Sequence, residues 1–248
     1  MQFSEEEWQI DWAAMEKAIT PKTKLILFCH PHNPVGRVYR REELEQLADF
    51  SRRHNLIVCS DEVHNGLIFD QRQHIMFSSL GEEEAMRTIT LMSPSKTYNL
   101  PGLCCAYAII PNPQLREAFL REKRGLITEI NLFGLVGCEC AYRYGEKWRL
   151  ELIQYLQANR DFLISFFAQH LPEITVFPVE GTYLAWLDLR KLQLPDPAAF
   201  FEQAGVGLSD GNYFGADGYM RLNFACSRSI LQLALERMLK VVRSSSRA

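Results

Sequence analysis

The sequence lacks any apolar run approaching the roughly 18 residues that a helical membrane span needs, so a protein held in a bilayer by helices is not expected. It also lacks a surplus of charge of either sign. Lys and Arg number 27 against 30 Asp and Glu, net −3, interspersed along the chain. Neither nucleic acid nor a membrane surface is therefore an expected partner. The opening MQFSEEEWQI is acidic and has no apolar stretch of the kind a secretory leader carries. There is no C-x-x-C; Cys104–Cys105 and the pair Cys138 and Cys140 lack zinc-ligand spacing, and the seven cysteines are an odd number. The thiols read as reduced and mostly buried, and the address as cytoplasmic. No H-E-x-x-H occurs. Asp61, Glu62 and His64, with His30 and His32, offer carboxylates and imidazoles but no recognised ligand spacing, so no metal is expected. His30 and His32 read as loop and sheet-end residues, and Glu62 as structural or surface. Internal repeats and low-complexity tracts are missing too.

What is present is a chain of 248 residues, 47% hydrophobic, enough for one large domain or two smaller ones with a real core. The first half alternates short apolar runs with helical patterns. KLILFCH (24–30), LIVCSD (56–61), TITLMS (88–93) and CAYAIIP (105–111) read as strands. REELEQLADFSRRH (41–54) sets Leu44, Leu47, Ala48 and Phe50 near one helical face. Near-continuous apolar strands separated by helices imply a mostly parallel sheet covered on both faces. Helices are expected around 113–123, 131–144 and, longest, 146–170. Beyond residue 174 the texture changes. ITVFPVEGTYLAWLDL reads as paired short strands, PAAFFEQAG as a helix closed by Gly205, YMRLNFAC as a strand and SRSILQLALERMLKVV as a terminal helix capped by Ser227. The tail RSSSRA (243–248) is expected to fray. The expected division is a large domain over 1–145, an interdomain helix over 146–170 and a small α+β domain over 171–248.

Three strand candidates run directly into polar residues: the first into HPHNPVG with Asn33, the second into Asp61, the third into Ser93 and Lys96. In open parallel sheets, ligands bind beyond the carboxyl ends of the strands. If these strands are neighbours, Asn33, Asp61, His64, Ser93 and Lys96 meet in one crevice. Taken singly the residues are bland: Lys96 a solvated loop lysine, Ser93 a capping serine, Arg221 a surface or ion-pair arginine, Asn33 a turn before Pro34. Taken together they fit a chemistry. Pyridoxal phosphate needs a lysine that forms a Schiff base and an acid facing its pyridinium nitrogen. Lys96 and Asp61 can fill those roles. Asn33 and His64 can donate to the phenolate oxygen, Ser93 can serve the phosphate, and Arg221 can bind an amino-acid carboxylate as a bidentate cation.

HNPVG, SDEVH, SPSKTYNLPGL and RLNFA, in that order, resemble the class I/II aminotransferase family of fold-type I pyridoxal-phosphate enzymes. The resemblance runs from about Ile10 to Val242. It implies a partial large domain of that fold followed by a small α+β domain. Lys96 would hold the cofactor, Asp61 its pyridine nitrogen and Ser93 its phosphate. Asn33 would lie near the phenolate and the substrate carboxylate, and Arg221 on that carboxylate. His64 where many members have tyrosine, and Cys104 where many have arginine, resemble the carbon–sulfur β-lyase branch, the cystathionine β-lyase type. EGTYLAWLDLR and RLNFACSR look like that branch as well.

The resemblance also implies upstream parts without counterparts here: a glycine-rich phosphate loop, an aromatic residue stacked on the pyridine ring and a residue lent across a dimer. Their lack is expected to weaken cofactor binding and to leave two unpaired sheet edges, an aggregation liability. The complete protein is expected to be a homodimer acting on a small amino acid. The leading expectation is β-elimination from cystathionine or a cysteine S-conjugate. An aminotransferase, an inactive remnant or regulatory binding protein of the same fold, and a metallohydrolase are the alternatives.

Overall fold

The computed structural model describes residues 1–4 and 7–245. The chain divides into two compact units, one of Met1–Pro31 with Val38–Leu150, the other of 32–37 with the residues from Glu151 onward. In the first unit, β1 (Gln2–Ser4) and β2 (Glu7–Gln9) form an antiparallel hairpin. Helix α1 (Trp12–Ala18) starts at Asp11, whose carboxylate accepts from the Ala14 amide at 2.9 Å. Then come β3 (Leu25–Cys29), α2 (Arg41–Arg53), β4 (Ile57–Asp61), α3 (Glu82–Met86), β5 (Thr88–Met92) and α4 (Pro94–Thr97). The series continues with β6 (Tyr107–Ile109), α5 (Pro113–Lys123), α6 (Leu132–Tyr144) and α7 (Glu146–His170). The unit division falls inside α7, after Leu150.

The sheet order is β3-β4-β5-β6. The first three strands are parallel, as their unbroken apolar runs imply, and β6 is antiparallel to β5. Register places Phe28, Ser60 and Thr90 on one face, and Leu27, Cys59 and Ile89 on the other. Helix α2 covers the first face. Its charges suit its dipole, Glu42 and Glu43 in the first turn and Arg52 and Arg53 in the last. Leu44, Leu47 and Ala48 pack with Phe28, Tyr39, Val58 and Phe77 into one core cluster. The opposite face is bare at β3, where Leu27 is 80% exposed. An apolar edge strand is a template for pairing with another chain. Leu27→Lys is accordingly expected to lower light scattering on standing at micromolar concentration. The unfolding midpoint should hardly move, because a side chain so exposed gives stability changes within about 0.5 kcal/mol.

In the second unit, β7 (Thr175–Val176), β8 (Leu184–Asp188), α8 (Pro197–Gln203), β9 (Ser209–Asp210), β10 (Tyr219–Asn223) and α9 (Arg228–Ser245) follow. The strands are all antiparallel, in the order β7-β8-β10-β9. Asp196 caps α8 through the Ala199 amide at 2.9 Å, and Gly205, at φ +74°, ends it. The apolar stripe of α9, Leu231, Leu235, Met238 and Val242, is buried. The helix runs through 243–245, where fraying was expected; residues 246–248 of that tail lie outside the described residues. Residues 32–37 join this unit because the Gly36 carbonyl accepts from both Glu180 N (2.9 Å) and Gly181 N (3.0 Å). Gly36 stands at φ +73°, and a Cβ there would lie 3.2 Å from Val179 Cγ1. Only glycine takes that conformation at so close an approach without strain. No helix among the described residues is long and apolar enough to cross a membrane.

Candidate active site

Asp61 ends β4 and Ser93 follows β5 directly, so both stand at the carboxyl ends of adjacent parallel strands, with Asp61 opposite Leu91 in register. Asp61 Oδ1 accepts from the Val63 amide at 3.3 Å, which turns the chain out of the sheet. The Asp61 side chain borders a cavity of about 540 Å³ whose walls include Leu91, Met92, Cys104, Tyr107 and Phe119. Burial, and next the charge of Asp61, raise the thiol pKa of Cys59 two residues back. Ser93 is the N-cap of α4 and accepts from Ser95 N at 3.1 Å. Its hydroxyl donates to the Cys105 carbonyl at 2.7 Å and lies 2.8 Å from Ser95 Oγ. To meet a phosphate oxygen this hydroxyl must turn from Cys105. Ser95, not singled out in the sequence, is a second donor within the same turn.

Lys96 lies on the exposed side of the short helix α4, between buried Pro94 and buried Thr97. Its ammonium has neither a hydrogen-bond nor an ion-pair partner among the described residues. The sequence leaves the residue in a loop; the structure makes it part of a helical turn anchored by Ser93. Thr97 fixes that turn from the inside. A Cβ on Gly66 would lie 2.4 Å from Thr97 Cγ2, so the backbone after β4 passes directly against α4. Arg149 Nη1 holds the Gly66 carbonyl at 2.9 Å. Gly66→Ala overpacks this contact and is expected to cost about 1–3 kcal/mol, read as a lowered urea midpoint at unchanged slope. His64, in the same turn, is 5% exposed.

Asn33 and Arg221 meet in the second unit. Arg221 Nη1 donates to Asn33 Oδ1 at 2.8 Å and Nη2 to Ser209 Oγ at 3.1 Å, and Cζ lies 4.9 Å from the Phe214 ring centroid. Burial lowers its pKa from the ordinary guanidinium value. Among the described residues no carboxylate pairs with it. The Arg190 guanidinium, by contrast, lies 2.7 Å from Asp188. Arg221 is therefore a partly buried cation held by neutral groups, open to an incoming anion. Ser209 and Phe214 had no signal in the sequence, since their part depends on the β9–β10 pairing and the turn beside it. No cluster of three or more His, Cys, Asp or Glu able to hold a metal occurs among the described residues.

The model of aminotransferase class I and II matches residues 1–238. The chain belongs to that family. PatB, a cystathionine β-lyase of Bacillus subtilis (strain 168), is 33% identical over 238 residues, covering 93% of this chain and 62% of the relative. The solved structure of OvoB superposes with a TM-score of 0.94 at 42% identity, over 98% of this chain and 64% of that one. Cystalysin of Treponema denticola, whose crystal structure contains pyridoxal 5'-phosphate, gives a TM-score of 0.92 at 35% identity, again over 98% and 64%. The chain thus spans less than two thirds of the length of these family members. Their fold is that of the present α/β chain.

Proposed function

We propose that this chain supplies the lysine, the acid partner and the carboxylate-binding arginine of a pyridoxal-phosphate-dependent carbon–sulfur β-lyase acting on cystathionine or a cysteine S-conjugate. The observation that carries the reading is Asp61 and Ser93–Lys96 at the carboxyl ends of neighbouring parallel strands, in a family member similar to a cystathionine β-lyase over 93% of its length. The donor set fits the cofactor: an unpaired amine, a carboxylate beside a cavity, and hydroxyls one turn away. When bound, pyridoxal phosphate supplies an electron sink for the pair released at the amino-acid Cα.

The residues divide the rest of the work. Lys96 would hold the cofactor at its aldehyde carbon, and its amine would take the substrate Cα proton as general base. The Asp61 carboxylate would hold a proton at the pyridine nitrogen, His64 and Asn33 would serve the phenolate side, and Ser93 the phosphate. Arg221 binds the substrate carboxylate. The C–S bond then breaks with the sulfur leaving as thiolate, and water converts the remaining three-carbon unit to pyruvate and ammonia. As the resemblance implies, we expect the protein to work in the cytoplasm and as a homodimer.

The test is to incubate the chain with pyridoxal phosphate and then with cystathionine. Thiol and pyruvate in equal amounts are expected. Amino transfer to a keto acid without thiol would make it an aminotransferase, and no visible absorption band from a folded sample would remove the catalytic reading. Arg221→Lys keeps the charge but loses the fork that meets a carboxylate with two bonds. KM is expected to rise about 10-fold or more, since a bond to a charged group contributes about 1.5–3 kcal/mol, with kcat changed far less.

A further inference from the structure

Glu62 follows Asp61 yet points to the other side of the chain, and it is fully buried. A buried carboxylate is costly unless its oxygens are bonded. Both are. Oε1 accepts from Ser60 Oγ at 2.8 Å and from Phe77 N at 3.1 Å, and Oε2 lies 2.6 Å from His74 Nε2. The His74 ring stacks on that of buried His30, centroids 4.3 Å apart. The Glu62 backbone is sewn into the sheet as well, its amide donating to Leu91 O of β5 at 3.0 Å. One side chain therefore ties the end of β4 to both His74 and Phe77, closing the base of the excursion 62–77. That excursion carries His64 and, at Gly66, presses on Thr97 beside Lys96.

We infer that Glu62, with His74, is the positioning pair of this site: the buried bonds to Ser60, His74 and Phe77 hold Asp61 toward its cavity and brace the Gly66 turn against the helix that presents Lys96. Ser60 and Glu62 are locked on the face opposite Asp61, so the carboxylate between them has one direction left. By sequence alone Glu62 is a structural or surface residue, because none of its partners but Ser60 is near in the chain. The inference rests on the reading of Lys96 as the cofactor lysine, and its test separates the two.

The experiment is competitive labelling of all lysines with trace acetic anhydride at fixed pH, read at Lys96 by peptide mass, with hydrogen exchange of residues 94–98. Pyridoxal-phosphate incorporation at Lys96 after borohydride reduction is measured in parallel. In Glu62→Ala, incorporation at Lys96 is expected to fall about 10–100-fold, the range seen when groups that orient a binding residue are lost. Its acetylation relative to Lys147 should change, exchange at 94–98 should quicken, and Lys147 should label as before. Glu62→Gln, which keeps an acceptor for Phe77 N, should restore most of the incorporation. Should Glu62→Ala fail to fold, His74→Gln carries the test through the same three readouts, with Glu62→Gln as the rescue. A folded Glu62→Ala or His74→Gln variant whose Lys96 labels, exchanges and takes up the cofactor as in the unmutated chain would overturn the positioning role. Failure of the unmutated chain to incorporate the cofactor sinks the catalytic reading alone, because acetylation and exchange at Lys96 need no cofactor.

Discussion

Replacing Lys96 with alanine is expected to abolish the visible absorption given by added pyridoxal phosphate and to lower thiol release from cystathionine by about 10²–10⁴-fold or more. That range is the usual contribution of a positioned proton-transfer group alone, and Lys96 is assigned the covalent attachment as well. Circular dichroism should be unchanged, because the side chain is exposed and makes no bond that α4 depends on. The turn is held by the Ser93 cap and by Thr97, and both remain. Lys96→Arg is the sharper control: it keeps the positive charge in place but offers no free amine to an aldehyde. If the arginine variant retained thiol release, the lysine would be a binding cation and the assignment would fall. If both variants are inactive and folded, attachment and proton transfer at this one nitrogen account for the result.

The largest stability effect is expected at Trp186, in the centre of β8 and 2% exposed. Its ring stacks on Tyr219 with centroids 5.5 Å apart and planes at 10°, and Phe214 meets it edge-on at 5.6 Å. Trp186→Ala removes both contacts and opens a cavity, a change that costs about 3–5 kcal/mol in a well-packed core. A denaturant titration followed by circular dichroism checks it, with the loss confined to the transition of the second unit. The site should feel it too, since Phe214 is the ring beneath the Arg221 guanidinium. Among the described residues buried Trp186 Nε1 has no partner, which subtracts from what the residue contributes. Trp186→Phe keeps a ring against Tyr219 and removes that orphan donor, so its loss is the smaller of the two. A larger loss in the phenylalanine variant would mean that the stacking account is wrong.

Much of the fold was legible because it is local. The helix over 41–53 followed from four apolar residues on one face, and those over 113–123 and 146–170 fell where the helical pattern placed them. The strands after residues 24, 56 and 88 were marked by apolar runs too short for helices. The β1–β2 hairpin had no such mark, being short and polar. Strand β6 falls inside the run read at 105–111, but its reversed direction had no mark, since it depends on how the chain returns after α4. Asp61, Ser93 and Lys96 stand out as candidates from their place just after strands, a rule that needs only sequence order and a parallel sheet. Asn33 satisfied the same rule, yet it bonds Arg221, 188 residues away, in the second unit. The Gly36 carbonyl decides that, and its two partners, Glu180 and Gly181, are nowhere near it in sequence.

By itself the sequence determined the family and put forward the residues proposed to react, since motif order and residue type are properties of the chain. The tertiary structure alone decided which side chains hold those residues in place: Ser209 and Phe214 around Arg221, Thr97 against Gly66, and His74 and Phe77 on Glu62. The physical reason is the reach of the interactions. Backbone preference and hydrophobic period act over a few residues and are written locally. A buried carboxylate or a guanidinium takes its partners from whatever the fold brings within about 3 Å, the distance at which a hydrogen bond forms.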